Sequence, residues 1–186
     1  MSFIDFIRGK LLEHNLKLHS KKVIKKSVAL NFNHCKAIAI LFNAGDSEDY
    51  ELIRKYVLYL RDQKKQVKAI GYFDSNFIPY FTYPKLDYDF FCKKDLNFNL
   101  SPKTNFHKSF LEKEFDILID LNLKNENPLR YFAVLSNAKC KIGIESDINR
   151  GIHDLLFSID KGKGVKFFLR HLDHYLGIIN QQTEKT

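Results

Sequence analysis

An alternation of short apolar runs with segments of helical periodicity predicts an α/β fold for this chain. We expect a Rossmann-like three-layer domain with a mainly parallel sheet of about five to six strands. Right-handed crossover connections would place helices on both faces of such a sheet. The 186 residues fit one domain, and 45% hydrophobic and 28% charged residues predict a folded chain rather than a disordered one.

Six apolar runs predict the strands. They are KAIAILFN (36–43), QVKAIGYF (66–73), a short strand within YDFFCKKD (88–95), FDILIDL (115–121), KCKIGI (139–144) and DLLFSID (154–160). Their length and their content of Ile, Val and Phe suit strands that are buried in the interior of a sheet.

Five segments carry the spacing of helices. They are residues 3–19, a stretch within 44–65, a short helix before Phe115, residues 127–138, and a last helix with apolar residues from Val165 to Ile179. Asp46 or Ser47 can cap the second of these helices. Pro128 fits the first turn of the fourth.

Positive charge is concentrated at the N-terminus. The net charge is +8, and residues 1–27 hold seven Lys and Arg residues against two acidic ones. We therefore treat residues 1–27 as a basic helical extension and residues 28–186 as a single Rossmann-like α/β domain. The basic side chains that we expect to bind an anionic partner or nucleic acid are Arg8, Lys10, Lys17, Lys21, Lys22, Lys25 and Lys26.

Three arrangements are open for this extension. RNA or a ribonucleoprotein is the first expected partner, because Lys and Arg pair with phosphates. A membrane surface is the second, since the same helix carries Phe, Ile and Leu residues that could enter lipid. In the third, the helix packs on its own domain and its basic face meets only water.

Asp120 is the candidate catalytic acid. It lies near the carboxyl end of the strand 115–121, where open parallel sheets collect their ligands. The alternative is that Asp120 accepts hydrogen bonds from backbone N–H groups of the loop LNLKNENP that follows. Asp116, near the start of the same strand, is interpreted as a structural contact.

Two turns that contain glycine are candidates for binding phosphate. FNAGDSED follows the first strand but lacks G-x-G-x-x-G and P-loop spacing, and its acids would repel phosphate, so we interpret it as a helix cap. The better candidate is DKGKGVKFF, with a solvated loop as its alternative. Its candidate residues are Lys161, Gly162, Lys163 and Gly164.

Metal, disulfide and nucleophile chemistry have little support. His171 and His174 have a spacing that suits a shared metal, but there is no HExxH motif and we interpret both as solvent-facing. His153 and Asp154 are adjacent, which does not by itself make a catalytic pair. No G-x-S-x-G motif is present. We predict no metal and no cofactor.

The three cysteines are widely spaced and odd in number, so we expect no disulfide framework. Cys35 and Cys140 lie beside apolar runs, and we expect them in the core. The N-terminus lacks the apolar core of a signal peptide, and no apolar run has the length of a membrane span. These features predict a cytoplasmic protein.

Two resemblances accompany these patterns. AIAILFNAGDSEDYELIRKYVLYLRDQKKQVKAIGYFD, LDYDFFCKKDLNF and FDILIDLNLKNENPLRYFAVLSNAKCKIG resemble an uncharacterised family, mostly from Bacteroidota, known as a domain of unknown function. The last of these stretches is also similar to the N-terminal Rossmann-like domain of heptosyltransferase-type glycosyltransferases. That likeness covers about 30 of the 186 residues, and the full enzymes have a second Rossmann-like domain for which this chain is too short.

The expected function is therefore a non-catalytic binding or interaction protein that engages an anionic partner through its N-terminal helix. One alternative is a small nucleotide- or sugar-nucleotide-binding enzyme related to half of a glycosyltransferase, working at the strand ends. The other is a peripheral membrane-associated protein.

Overall fold

A computed structural model describes residues 3–20, 32–80, 82, 87–124, 126–160 and 162–183. It contains one sheet of six strands, all parallel, in the order β3-β2-β1-β4-β5-β6. The strands are β1 (Ala37–Asn43), β2 (Gln66–Phe73), β3 (Tyr88–Cys92), β4 (Glu114–Leu121), β5 (Asn137–Ile144) and β6 (Leu155–Phe157). All six predicted strands are confirmed, although β6 is shorter than the apolar run that predicts it.

Five α-helices accompany the sheet in the described part of the chain. They are α1 (Phe3–Ser20), α2 (Ser47–Asp62), α3 (Thr104–Glu112), α4 (Asn127–Leu135) and α5 (Val165–Thr183). Short 3-10 turns cover Lys93–Asp95 and Asn149–Gly151. The helix predicted over 127–138 ends earlier, because β5 begins at Asn137 and the intervening Ser136 has an extended ψ.

The sheet lies between two apolar layers. One layer packs α2 and α5 against one face of the sheet through residues such as Ile53, Leu60 and Phe168, and a second layer packs α3 and α4 against the other through residues such as Phe110 and Phe132. This is the three-layer Rossmann-like fold that the alternating pattern predicts. The three cysteines are buried within it, as predicted for Cys35 and Cys140.

The helix α1 lies outside these three layers and packs on α4. Leu12 and Leu16 are buried and form a small apolar cluster with Val134. The predicted apolar residues of α1 are thus divided: this pair faces the domain, while Ile7 and Leu11 are exposed. On the side of Leu12 and Leu16, α1 therefore packs on its own domain, as in the third arrangement considered above.

Candidate functional site

A crevice opens where the order of the strands changes direction. The chain moves from β1 outwards to β2 and β3 and then returns to β4 on the other side of β1. Open parallel sheets bind ligands at such a switch point, outside the carboxyl ends of the strands. Here the space has a volume of about 500 Å³, which is ordinary for a small-molecule site. We call it the switch-point crevice, and its lining residues are Asn43, Ala44, Gly45, Ser47, Tyr50, Phe73, Asp74, Ser75, Phe77, Pro79, Lys124 and Glu126.

The turn after β1 forms one side of the crevice and is held by its own side chains. The Asn43 Oδ1 atom accepts a hydrogen bond of 3.0 Å from the backbone N–H of Gly45. Asp46 caps α2 by accepting from the backbone N–H groups of Glu48 and Asp49, at 3.0 and 3.1 Å. The interpretation of FNAGDSED as a helix cap is confirmed. A phosphate would have to displace the Asp46 carboxylate to reach these two N–H groups.

Acidic side chains dominate the charge around the crevice. Asp74 follows β2 directly, pairs with Lys93 at 2.9 Å and accepts a hydrogen bond of 3.3 Å from the Tyr72 hydroxyl. Burial raises the pKa of Glu126, and the charge of Asp74 raises it further, while Lys124 and Lys93 act in the opposite direction. The negative charges of Asp74 and Glu126 therefore repel each other across the crevice.

The entrance to α2 adds more negative charge. Burial raises the pKa of Asp49, the neighbouring Asp46 raises it further, and Lys124 lowers it. The positive charge of Lys124 thus acts on both Asp49 and Glu126. Because like charges repel, these carboxylates disfavour a phosphate in the crevice and favour a neutral or cationic group.

Aromatic side chains supply the apolar surface of the crevice. Phe77 lines it although 67% of this side chain is exposed to solvent. Tyr50, from the first turn of α2, stacks against Phe42 with ring centroids 6.3 Å apart. An exposed ring at the mouth of a crevice offers a face on which a sugar ring or a nucleobase can stack.

The loop after β4 is fixed by an amide side chain. The Asn122 Oδ1 atom accepts from the backbone N–H of Glu126 at 2.8 Å, and its Nδ2 atom donates to the carbonyl of the same residue at 3.0 Å. This pair of bonds positions Lys124 and Glu126 at the crevice. Sequence reasoning did not single out these loop residues, Asp74 or Phe77, because no short motif marks them.

Asp120 lies in the protein interior. It is only 5% exposed, and its Oδ1 atom accepts a 3.0 Å hydrogen bond from the backbone N–H of Asn122. That bond is the loop-holding arrangement that formed the alternative to a catalytic role. The described residues that line the switch-point crevice do not include Asp120.

The second oxygen of Asp120 contacts His153, for which the sequence shows only the adjacent Asp154 and no partner. His153 Nε2 lies 2.9 Å from Asp120 Oδ2, and the histidine side chain is fully buried. Its neighbour Asp154 instead accepts from the backbone N–H of Lys141 at 2.9 Å. The His153 ring rests on Gly143, where a Cβ atom would lie 2.7 Å from it. The pair joins β4 to the segment before β6.

The other candidate positions lie apart from this pair. Gly162 adopts a φ of 95°, and Lys163 pairs with Asp160 at 2.8 Å and covers the ring of Phe167 at 4.1 Å. Gly164 approaches Asp49, so acids flank the turn on two sides. Lys161 lies outside the described residues. The phosphate turn stays a prediction.

No group of three or more potential metal ligands occurs in the part of the chain that the structure describes. His171 and His174 are both exposed on α5, and the His171 ring lies 4.1 Å from that of Phe167. The solvent-facing interpretation of these two residues is confirmed.

Three of the seven predicted anion-binding residues lie on the described part of α1. Arg8 donates a 2.9 Å hydrogen bond to the carbonyl of Phe98 and lies over its ring at 5.8 Å, so it also makes contacts within the protein. Lys10 and Lys17 are exposed, and Lys10 lies 3.6 Å from Glu13. Lys21, Lys22, Lys25 and Lys26 lie outside the described residues.

The order of the strands and the crevice at their carboxyl ends define the class: this is a Rossmann-like α/β protein. The chain belongs to a family of unknown function, DUF6913, whose model matches residues 8–179. The resemblance to an uncharacterised family is thereby confirmed, while the bacterial source and the likeness to glycosyltransferases stay predictions. Comparison with curated proteins and with solved structures gave no match. No described helix is long and apolar enough to cross a membrane.

Proposed function

We propose that this protein binds, in the switch-point crevice, a small ligand that carries neighbouring hydroxyl groups and no phosphate, such as a nucleoside or a sugar. The observation that carries the proposal is the position of Asp74 at the end of β2, beside the exposed ring of Phe77. The Oδ1 atom of Asp74 already meets Lys93 and the Tyr72 hydroxyl. Its Oδ2 atom can accept hydrogen bonds from ligand hydroxyl groups, as an acidic residue does with ribose in related sheets.

The charge of the site supports the absence of phosphate from the ligand. Asp74 and Glu126 line the crevice with Lys124, and Lys93 pairs with Asp74 at 2.9 Å. The capping residue Asp46 occupies the N–H groups at the start of α2, which a phosphate would otherwise use. A neutral or cationic ligand avoids the repulsion that a phosphate would meet here. The sequence alone suggests a nucleotide or sugar-nucleotide as one alternative ligand. We propose instead the nucleoside or the sugar without the phosphate groups.

A thermal-shift screen of nucleosides, nucleotides and monosaccharides tests this proposal. We expect a nucleoside or sugar to raise the Tm, and the corresponding phosphate ester to raise it less. Asp74→Ala should weaken binding at least ~10-fold, because a hydrogen bond to a charged group contributes about 1.5–3 kcal/mol.

Asp87→Ala is the matched control, since Asp87 also pairs with a cation, Arg61 at 2.6 Å, and does not belong to the crevice lining. It should leave the affinity unchanged. Tighter binding of the phosphate esters than of the parent compounds would refute the electrostatic argument. Equal loss of affinity in both variants would show that Asp74 has no specific role.

A second candidate function is binding of an anionic partner through α1, with RNA or a ribonucleoprotein as the predicted partner. It is favoured by the exposure of Lys10 and Lys17 on the side of α1 that does not pack on the domain. Five more basic residues of the extension would act with this pair, namely Arg8, Lys21, Lys22, Lys25 and Lys26.

Retention on immobilised single-stranded RNA across a salt series tests this candidate. We expect Lys10→Glu combined with Lys17→Glu to release the protein at lower salt, because fewer phosphates are neutralised. Lys55→Glu combined with Lys108→Glu makes the same change of charge at exposed lysines of α2 and α3 and serves as the control. Equal retention of both double variants would contradict a specific role for α1.

A further inference from the structure

The outer side of α1 carries an exposed apolar stripe. Ile4, Ile7 and Leu11 are 57%, 38% and 44% exposed, and their spacing places them along one side of the helix. The helix is held by other residues, Leu12 and Leu16, which pack on α4. The stripe therefore lies on the side of the helix away from the pair that packs on α4.

A row of lysines runs beside this stripe. Lys10 follows Ile7 by three residues, so the two side chains are neighbours on the helix surface. Lys17 lies seven residues after Lys10, on the same side of the helix. Lys10 also lies 5.7 Å from the ring of the exposed Phe6, which adds an aromatic group to the same side.

The loop after β3 extends the apolar surface on the other flank of the stripe. Phe98 is exposed, and Arg8 holds it by a hydrogen bond to its carbonyl and by the contact with its ring. Apolar and cationic groups thus occur together over the outer side of α1 and the adjoining loop. We call this combination the α1 outer face: Ile4, Phe6, Ile7, Lys10, Leu11, Lys17 and Phe98.

An anionic lipid surface matches both components of this face. Aliphatic and aromatic side chains enter the boundary between head groups and acyl chains, while lysines remain at the anionic head groups. RNA would engage the lysines, but Ile7 and Leu11 would gain nothing from its phosphates. A second copy of the chain packed two-fold on this face would bring the rows of lysines towards each other, which is unfavourable.

We propose that the protein docks peripherally on an anionic membrane through the α1 outer face. This inference rests on the second candidate function, an anionic partner for α1, and it names a lipid surface as that partner. It is independent of the switch-point crevice. Leu12 and Leu16 keep the helix on the domain while its outer side lies along the membrane plane.

Co-sedimentation with vesicles tests the inference on the full chain. Vesicles of phosphatidylcholine with and without phosphatidylserine are compared at low and at high salt. We expect binding that requires phosphatidylserine and weakens with salt. Ile7→Ser combined with Leu11→Ser should reduce the bound fraction ~10-fold, since it removes two of the five apolar side chains of the α1 outer face.

The control variant is Leu58→Ser, which replaces an exposed leucine of α2 that is 47% accessible. It should bind vesicles as the wild type does. All three substituted positions are exposed, so an unchanged Tm and far-UV spectrum should verify that the variants fold. Vesicle binding by Ile7→Ser/Leu11→Ser at the wild-type level would overturn the proposal.

Three further results would also overturn it, and the first two separate the lipid from its rivals. Retention on RNA that depends on Lys10 and Lys17, without vesicle binding, would leave the anionic partner standing and remove the lipid. A dimer in sedimentation equilibrium that Ile7→Ser/Leu11→Ser dissociates, without vesicle binding, would assign the face to a second copy. Absence of binding to both RNA and vesicles would remove both proposals.

Discussion

Replacing Asp120 by alanine should destabilise the protein, and it should affect the switch-point crevice only through the loop after β4 that Asn122 begins. The Asp120 carboxylate satisfies two buried groups, the backbone N–H of Asn122 at 3.0 Å and Nε2 of His153 at 2.9 Å. The His153 side chain is fully buried, so water cannot replace the lost partner without rearrangement.

The magnitude follows from these two groups. Each polar group that is left buried without a partner costs about 1–3 kcal/mol, so loss of both partners in Asp120→Ala should lower the free energy of unfolding by roughly 2–6 kcal/mol. Asp120→Asn should cost only about 1 kcal/mol, because its amide oxygen can keep the bond to Asn122. The imidazole can then change tautomer, accept from the new amide and direct Nδ1–H towards the Asn149 carbonyl, 3.4 Å away.

Urea unfolding followed by far-UV circular dichroism measures both variants, with the highly exposed Asp147→Ala as a control that should stay within about 0.5 kcal/mol of the wild type. Asp120→Ala at wild-type stability would refute the structural role. Loss of ligand affinity at unchanged stability would refute it too, and would return Asp120 to the catalytic interpretation.

Three other substitutions test packing, charge and the contact between helices. Gly143→Ala should cost about 1–3 kcal/mol, because its methyl group would lie 2.7 Å from the His153 ring, whereas Gly151→Ala, with no atom within 4 Å, should cost far less in the same urea assay. Burial alone would raise the pKa of Asp116, but hydrogen bonds from Lys139 and from the backbone N–H groups of Ala37 and Lys36 outweigh it and lower that pKa to about 2. Because the pKa of Asp116 is lower in the folded state, its stabilising contribution is fully present above the ordinary pKa of 3.8 and is lost as the pH falls through about 2. In an acid titration of unfolding, the difference in stability between wild type and Asp116→Asn should therefore shrink over that pH interval. Tyr56→Phe should lower the free energy of unfolding by about 1–2 kcal/mol, since it removes the 2.9 Å bond from the hydroxyl on α2 to Asp173 on α5, and equal urea midpoints for the two proteins would contradict this.

Features formed by residues close together in the sequence could be predicted from the sequence alone. The apolar runs identify all six strands, and the cap of α2 follows from Asp46 standing before Glu48 and Asp49. These signals are local, because a strand needs only its own apolar residues and a cap bonds to N–H groups two and three residues further on.

The paired side chains were not predictable in the same way. Asp120 and His153 are 33 residues apart, and they meet because β5 pairs directly with β4 while β6 pairs with β5. The pattern of elements does not specify that order of strands. Without the order of the strands, the sequence shows only Asp154 next to His153. For the same reason the position of Asp74 beside the turn after β1 could not be inferred.

The apolar residues of α1 show a third kind of limit. Helical periodicity predicts that Leu12, Leu16, Ile7 and Leu11 lie on a broad apolar stripe, but it does not say which part of the stripe faces the domain. The structure buries the first two against Val134 of α4 and exposes the other two, and this choice depends on where α4 lies in the fold rather than on α1 alone.

The central claim is that the switch-point crevice takes a hydroxyl-bearing ligand without phosphate. A titration of the full chain with nucleosides and monosaccharides, followed by amide chemical shifts, tests it most directly. We expect saturable shifts at Gly45, Ser75 and Glu126, which line the crevice on three different segments. Saturable shifts confined to the turn around Gly162 and Lys163, or no saturable shift at the crevice with any compound, would contradict it.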